Sequence, residues 1–163
     1  MQYTADDLND ALEWIHTLDE DTLADIVDKI SDENPHLLAY VMSDDALLLG
    51  ENEAEIILFV AVVFYKTVER RVGQVEEIDE EEIDQLQDAN WKLFEGAESK
   101  TPEEMGVYVE ELIAKHGEPE FLYYILDSLE EESEDDDAGL GIEETAKVPM
   151  FIMLKTVADA LLG

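Results

Sequence analysis

The sequence predicts an all-α fold of about eight helices in one domain spanning residues 1–163. Apolar residues recur at helical spacing along most of the chain, and no stretch shows the period-two alternation of a half-buried strand. The apolar segments are bounded by residues that start and stop helices. Leu8, Ala11, Leu12 and Ile15 mark a first helix. Thr4 opens it with Asp7 three residues on, a variant of the capping box. Leu23, Ile26, Val27 and Ile30 mark a second, with Asp21 as the expected N-cap. Asn34 and Pro35 read as N-cap and first position of a short third helix through Met42, because proline's missing N–H costs nothing there. A fourth runs from about Asn52 to Val72 and stops at Gly73, a residue type that readily takes the left-handed conformation past a helix end.

After an acidic connection the pattern resumes. Ile83, Leu86, Asn90, Trp91 and Phe94 line a fifth helix. Thr101, Pro102 and Glu104 supply cap, proline and capping-box acid for a sixth, closed by Gly117. Pro119 opens a seventh with Phe121, Leu122, Ile125 and Leu129. Residues 131–141 are expected to form a mobile acidic loop, given their Glu, Asp, Ser and Gly content. An eighth helix follows, with Pro149 in its early turns and Ile152, Val157, Ala158 and Leu161 beyond.

The second set of helices echoes the first. Asn34 to Met42 aligns without gaps on Glu118 to Leu126, with proline, leucine and tyrosine identical at Pro35/Pro119, Leu38/Leu122 and Tyr40/Tyr124. Each segment is followed by a polar connection and an apolar helix containing Lys-Thr-Val, at Lys66–Val68 and at Lys155–Val157. Upstream, Leu8 to Ala11 echoes Leu86 to Ala89. Fixed order with lengthening loops is the mark of duplication, which predicts two similar four-helix halves, residues 4–73 and 79–162. They would pack as a bundle or as helical repeats, with the apolar fourth and eighth helices at the centre.

Charge sets the function classes. Asp and Glu total 44 against nine Lys and Arg, a net charge of -35. The excess is spread along the chain, with 19 acids in residues 1–77 and 25 in residues 78–163. Yet 46% of residues are apolar, too many for a disordered acidic chain. Such a field repels nucleic acid and anionic membranes, both of which require Lys and Arg to neutralise phosphate. The longest apolar run, Ile56 to Tyr65, is half the length that spans a bilayer. The absence of Cys and of basic and apolar signal-peptide regions at Met1 to Asp7 leads to an expected cytoplasmic location.

No catalytic constellation stands out. Glu13 and His16 have the Glu-x-x-His spacing of di-iron bundles, but neither His36 nor His116 has a Glu three residues before it, and the better reading of His16 is a surface residue at a helix end. Glu134 to Gly139 fails the calcium-loop template, which would put Ala138 and Thr145 at ligand positions. There is no Gly-x-Ser-x-Gly turn and no phosphate loop. Lys66 and Lys155 are the most specific residues, two of seven lysines at the same place in both copies. They read either as a paired anion or partner site, or as stems packed on the core with the ammonium reaching solvent and neighbouring carboxylates.

No catalytic, cofactor-binding or metal residue is therefore assigned, and no cofactor is expected. The leading expectation is a non-enzymatic interaction module for a basic protein partner, acting as a nucleic-acid mimic, with no direct nucleic-acid or membrane binding. Adaptation to a saline cytoplasm is the alternative account of the charge; scarce Lys fits it, while scarce Arg and abundant Ile, Leu and Phe do not. A carboxylate- or metal-dependent enzyme is the third reading. Crowded carboxylates predict a thermal midpoint that rises by several degrees on adding salt or millimolar magnesium. A calorimetric midpoint that is flat or falling up to about 0.5 M salt would contradict the dominance of like-charge repulsion.

Overall fold

The computed structural model describes residues 3–43, 51–95, 101–134 and 144–162, and the all-α reading holds for them. Among the described residues eight helices follow one another: α1 (Ala5–His16), α2 (Glu20–Glu33), α3 (Pro35–Val41), α4 (Glu51–Val72), α5 (Glu80–Leu93), α6 (Pro102–Lys115), α7 (Pro119–Glu134) and α8 (Glu144–Leu162). Among the described residues no helix is long and apolar enough to cross a membrane.

Several boundaries follow the local chemistry as expected. Thr4 accepts the Asp7 N–H while Asp7 accepts the Thr4 N–H, the reciprocal box that satisfies two orphan donors of α1. Thr101 accepts the Glu104 N–H at the start of α6. Gly73 takes φ +90° just past α4 and returns its N–H to the Glu69 carbonyl.

Others differ, each for a physical reason. The N-cap of α2 is Asp19, not Asp21, because Asp19 is the carboxylate placed to accept the Thr22 N–H. Gly117 does not close α6 in a left-handed turn; His116 ends it by turning extended (φ -74°, ψ 142°), which frees its ring for the contacts described below. Residues 131–134 belong to α7 rather than to a loop, in keeping with the good helix propensity of Glu. The remainder of the expected loop, 135–141, lies outside the described residues. Asn34 caps α3 by position only; its side chain makes no cap bond and is used elsewhere.

The core is built around α4 and α8. Ala61 to Val68 are buried without a break, as are Met150 to Ala158. A helix buried on every side must be wrapped on every side. These two pack on each other; α1 lies on α4, α5 on α8, α7 against both, and α3 against α4, α5 and α8. Aromatic contacts tie the layers. Phe64 of α4 meets Phe121 of α7 at 4.8 Å, and Phe94 beyond α5 meets Phe151 of α8 at 5.7 Å. Edge and tilted arrangements of this kind are the favoured ones.

Asn34 is the polar pin of this core. Fully buried, it donates to the Tyr65 hydroxyl (3.1 Å) and accepts the Ile78 N–H (2.7 Å), joining the α2–α3 junction to α4 and to the entry of α5. Tyr65 in turn donates to Glu33 at 2.8 Å. Burial pushes the Tyr65 phenol far above its ordinary range, and the bond to Glu33 adds to that while the Asn34 amide opposes it. Asn34→Ala should lower stability by about 2–3 kcal/mol, since it leaves the Ile78 donor unpaired out of water. Urea denaturation checks this; a loss below about 0.5 kcal/mol would mean that water replaces the amide.

Candidate functional site

The two lysines singled out by the sequence are both buried. Lys66 is 7% exposed and Lys155 8%, each in the fully buried stretch of its helix. The threonine that follows each donates to the carbonyl four residues back at 2.7 Å, Thr67 to Val63 and Thr156 to Ile152. Each ammonium meets a carboxylate, Glu69 at 2.6 Å and Asp159 at 2.8 Å. The packed-stem reading is therefore right about the carboxylates and wrong about solvent. The ammonium groups stay inside because a buried charge is tolerable once paired and hydrogen-bonded. Nor do the lysines form one joint site, because they are committed to different helices. Lys66 lies 5.5 Å from the Trp14 ring of α1, whereas Lys155 donates to Asn90 of α5 at 2.8 Å.

Around Lys155 the geometry is richer. Asp159 Oδ2 accepts from Lys155, and from Asn90 at 3.3 Å; Asp159 Oδ1 lies 2.7 Å from His116 Nε2. The Asn90 amide also donates to Thr156 at 3.0 Å. The Glu118 N–H donates to His116 Nδ1 at 2.9 Å, so that nitrogen carries no proton and Nε2 is the one that donates to Asp159. Glu118 then accepts the Tyr3 N–H at 2.8 Å. One chain of polar contacts thus runs from the start of α1 through the α6–α7 turn to α8 and α5. Burial works against ionisation of Asp159, but the bonds from His116 and Lys155, with the Lys155 charge and the Asn90 amide, outweigh it and hold the carboxyl below its ordinary value.

In chemical terms this cluster clamps α5, α8 and the α6–α7 turn together. Both His116 nitrogens and both Asp159 oxygens are engaged within the protein. Glu13 and His16 are exposed on α1, with His16 at the helix end stacked on Phe59 at 5.8 Å, and His36 is exposed on α3. Among the described residues no group of three or more His, Cys, Asp or Glu is arranged to hold a metal ion.

The carboxylates dominate the outer surface instead. Asp21, Asp25, Asp28 and Asp32 form an exposed stripe on α2 at spacings of four, three and four. Glu80, Glu81, Glu82, Asp84 and Asp88 are exposed on α5, and Glu103, Glu104, Glu110 and Glu111 on α6. Three cations turn to the protein itself: Lys66 and Lys155 inside, and exposed Lys29, which bridges Glu33 (3.7 Å) and Glu69 (3.6 Å).

Neither a family model, nor a curated protein, nor a solved structure matches the chain.

Sequence reasoning missed Asn90, His116 and Asp159 as a unit. Two signals were present. Asn90 stands at a core position of the Ile83, Leu86, Asn90 period, where an amide needs partners. Asp159 stands four residues after Lys155 on the same helix face. The link to His116 carries no sequence signal. Asp159→Asn should cost about 3 kcal/mol at neutral pH, because it strands the buried Lys155 ammonium. Since the folded carboxyl sits below its unfolded value of about 3.9, its contribution is full above that pH and lost as pH falls through the lower folded value. The stability gap between wild type and Asp159→Asn, read by denaturation at stepped pH, should hold above about pH 5 and close below about pH 4. A gap that widens on acidification would refute the assignment.

Proposed function

We propose that the protein is a non-enzymatic interaction module whose carboxylate-covered surface takes a basic protein partner, for which nucleic acid competes. The observation that carries this reading is the division of charge between surface and interior. The stripes on α2, α5 and α6 face outward, while Lys66 and Lys155, two of only nine basic residues, are neutralised inside by Glu69 and Asp159. Negative charge is therefore left in large excess at the surface, where it attracts positive patches and speeds their encounter. The location that goes with this reading is the cytoplasm.

The architecture is read as two copies of one four-helix unit. Support comes from the third and fourth helices of each half. Leu37 and Phe121, Leu38 and Leu122, and Val41 and Ile125 are buried in aligned pairs, and Tyr40 and Tyr124 are both half-buried. Lys66-Thr67-Val68 and Lys155-Thr156-Val157 are buried alike. The upstream echo is weaker, with Ala11 buried and Ala89 exposed.

Capture of partners from an extract of the protein's own cells, at their internal salt, followed by competition with duplex DNA, tests the function. A basic protein should be retained, released by DNA, and lost steeply as salt rises, since screening acts over about 8 Å at physiological ionic strength. If no basic protein is retained, or one indifferent to DNA, the mimic reading falls and adaptation to internal salt becomes the account of the charge.

A further inference from the structure

The chain has two arginines, Arg70 and Arg71, adjacent in the last turn of α4. The carbonyl end of a helix favours cations, which explains why the turn is basic. It does not explain how the arginines are used. In a molecule with 44 acidic residues, no ion pair among the described residues includes either arginine, nor Lys92 or Lys115, whereas Lys29, Lys66 and Lys155 each hold a carboxylate; what sets the arginines apart is the cavity they line. Arg71 lies over the Tyr3 ring, 4.3 Å from its centroid, and Arg70 is exposed beside it.

Both line a cavity of about 260 Å³ where α1 begins and α4 ends, with Tyr3, Asp7, Asp10 and Thr67 as its other walls. Asp10 enters no ion pair among the described residues, and Asp7 spends only Oδ2, on the Thr4 N–H. The Thr67 hydroxyl donates to Val63, so its lone pairs are what it offers elsewhere. One small cavity thus presents a guanidinium and a carboxylate that, among the described residues, form no ion pair with each other or with another side chain.

We propose that this cavity binds a small zwitterion of the amino-acid class, with its carboxylate on Arg70 and its ammonium on Asp10. The guanidinium fork matches a carboxylate in two parallel hydrogen bonds. A ligand with net negative charge would be repelled by the field of the whole molecule, and a simple cation would find carboxylates all over the surface. A zwitterion has no net charge to repel and fits only where both signs are held apart. The volume of about 260 Å³ lies just under the roughly 300–1,000 Å³ of drug-sized sites and has room for an amino acid.

The test is an NMR titration of isotope-labelled protein with glycine and with alanine, set against acetate and methylammonium at matched ionic strength. Saturable shifts are expected at the amides of Asp10, Thr67, Arg70 and Arg71 for the amino acids, with acetate and methylammonium at least about tenfold weaker. Arg70→Gln and Asp10→Asn change exposed side chains, so both should fold as wild type by circular dichroism, and each should weaken glycine about tenfold. Acetate binding as tightly as glycine would overturn the proposal in favour of a plain anion site. Shifts that do not saturate, or that survive both substitutions, would overturn it outright.

Discussion

A chain with 44 carboxylates folds only if its centre is screened from them, and α4 and α8 meet that constraint. Each carries an unbroken buried stretch, and in those stretches the only side chains of a type charged at neutral pH are Lys66 and Lys155, both cations. A carboxylate in either place would add to a strongly repulsive field while giving up its hydration. A lysine instead attracts one of the abundant acids and holds it at the core boundary. Glu69 and Asp159 are those acids, one turn further along the same helices. Without such pairing a buried ammonium would be among the costliest groups to keep in a fold.

The rest of the polar interior depends on that arrangement. Asp159, once fixed by Lys155, becomes the acceptor for His116, and His116 receives the Glu118 N–H and so sets the direction of the α6–α7 turn. Asn90 completes the cluster by serving Lys155, Thr156 and Asp159 from α5. Asn34 makes a second buried polar junction with Tyr65 and the Ile78 N–H. Two amides in core positions therefore do for this protein what additional apolar contacts do in less charged ones. They bind loops and surface helices to the central pair through directional bonds that salt screens far less than surface charges.

The division also separates stability from recognition. The buried clusters consume their own donors and acceptors, so they are available to no ligand. What faces outward among the described residues is a mainly acidic coat, and the Arg70 and Arg71 turn is one interruption where a different chemistry is exposed. A basic macromolecule would read the coat, and a small zwitterion would read the interruption. The two readings rest on different residues and are independent.

Much of the local structure was legible in the sequence by itself, because it depends on neighbours a few residues apart. Helical periodicity, the Thr4 and Thr101 caps, the Gly73 stop and the apolar fourth and eighth helices all follow from short-range rules, as does the weight of negative charge on any function. Where two local signals competed, as between Asp19 and Asp21, or between a glycine stop and the extended turn of His116, the backbone geometry decided. The tertiary structure alone decided what the polar core residues do. Asn34 carries the sequence mark of a cap and spends its side chain on Tyr65 and Ile78; His116 reads as a lone histidine and meets an aspartate 43 residues away. The reason is physical. A cap is a bond within one turn, but a buried amide or imidazole takes whatever partner packing brings to it, and packing joins segments whose separation along the chain leaves no pattern to read.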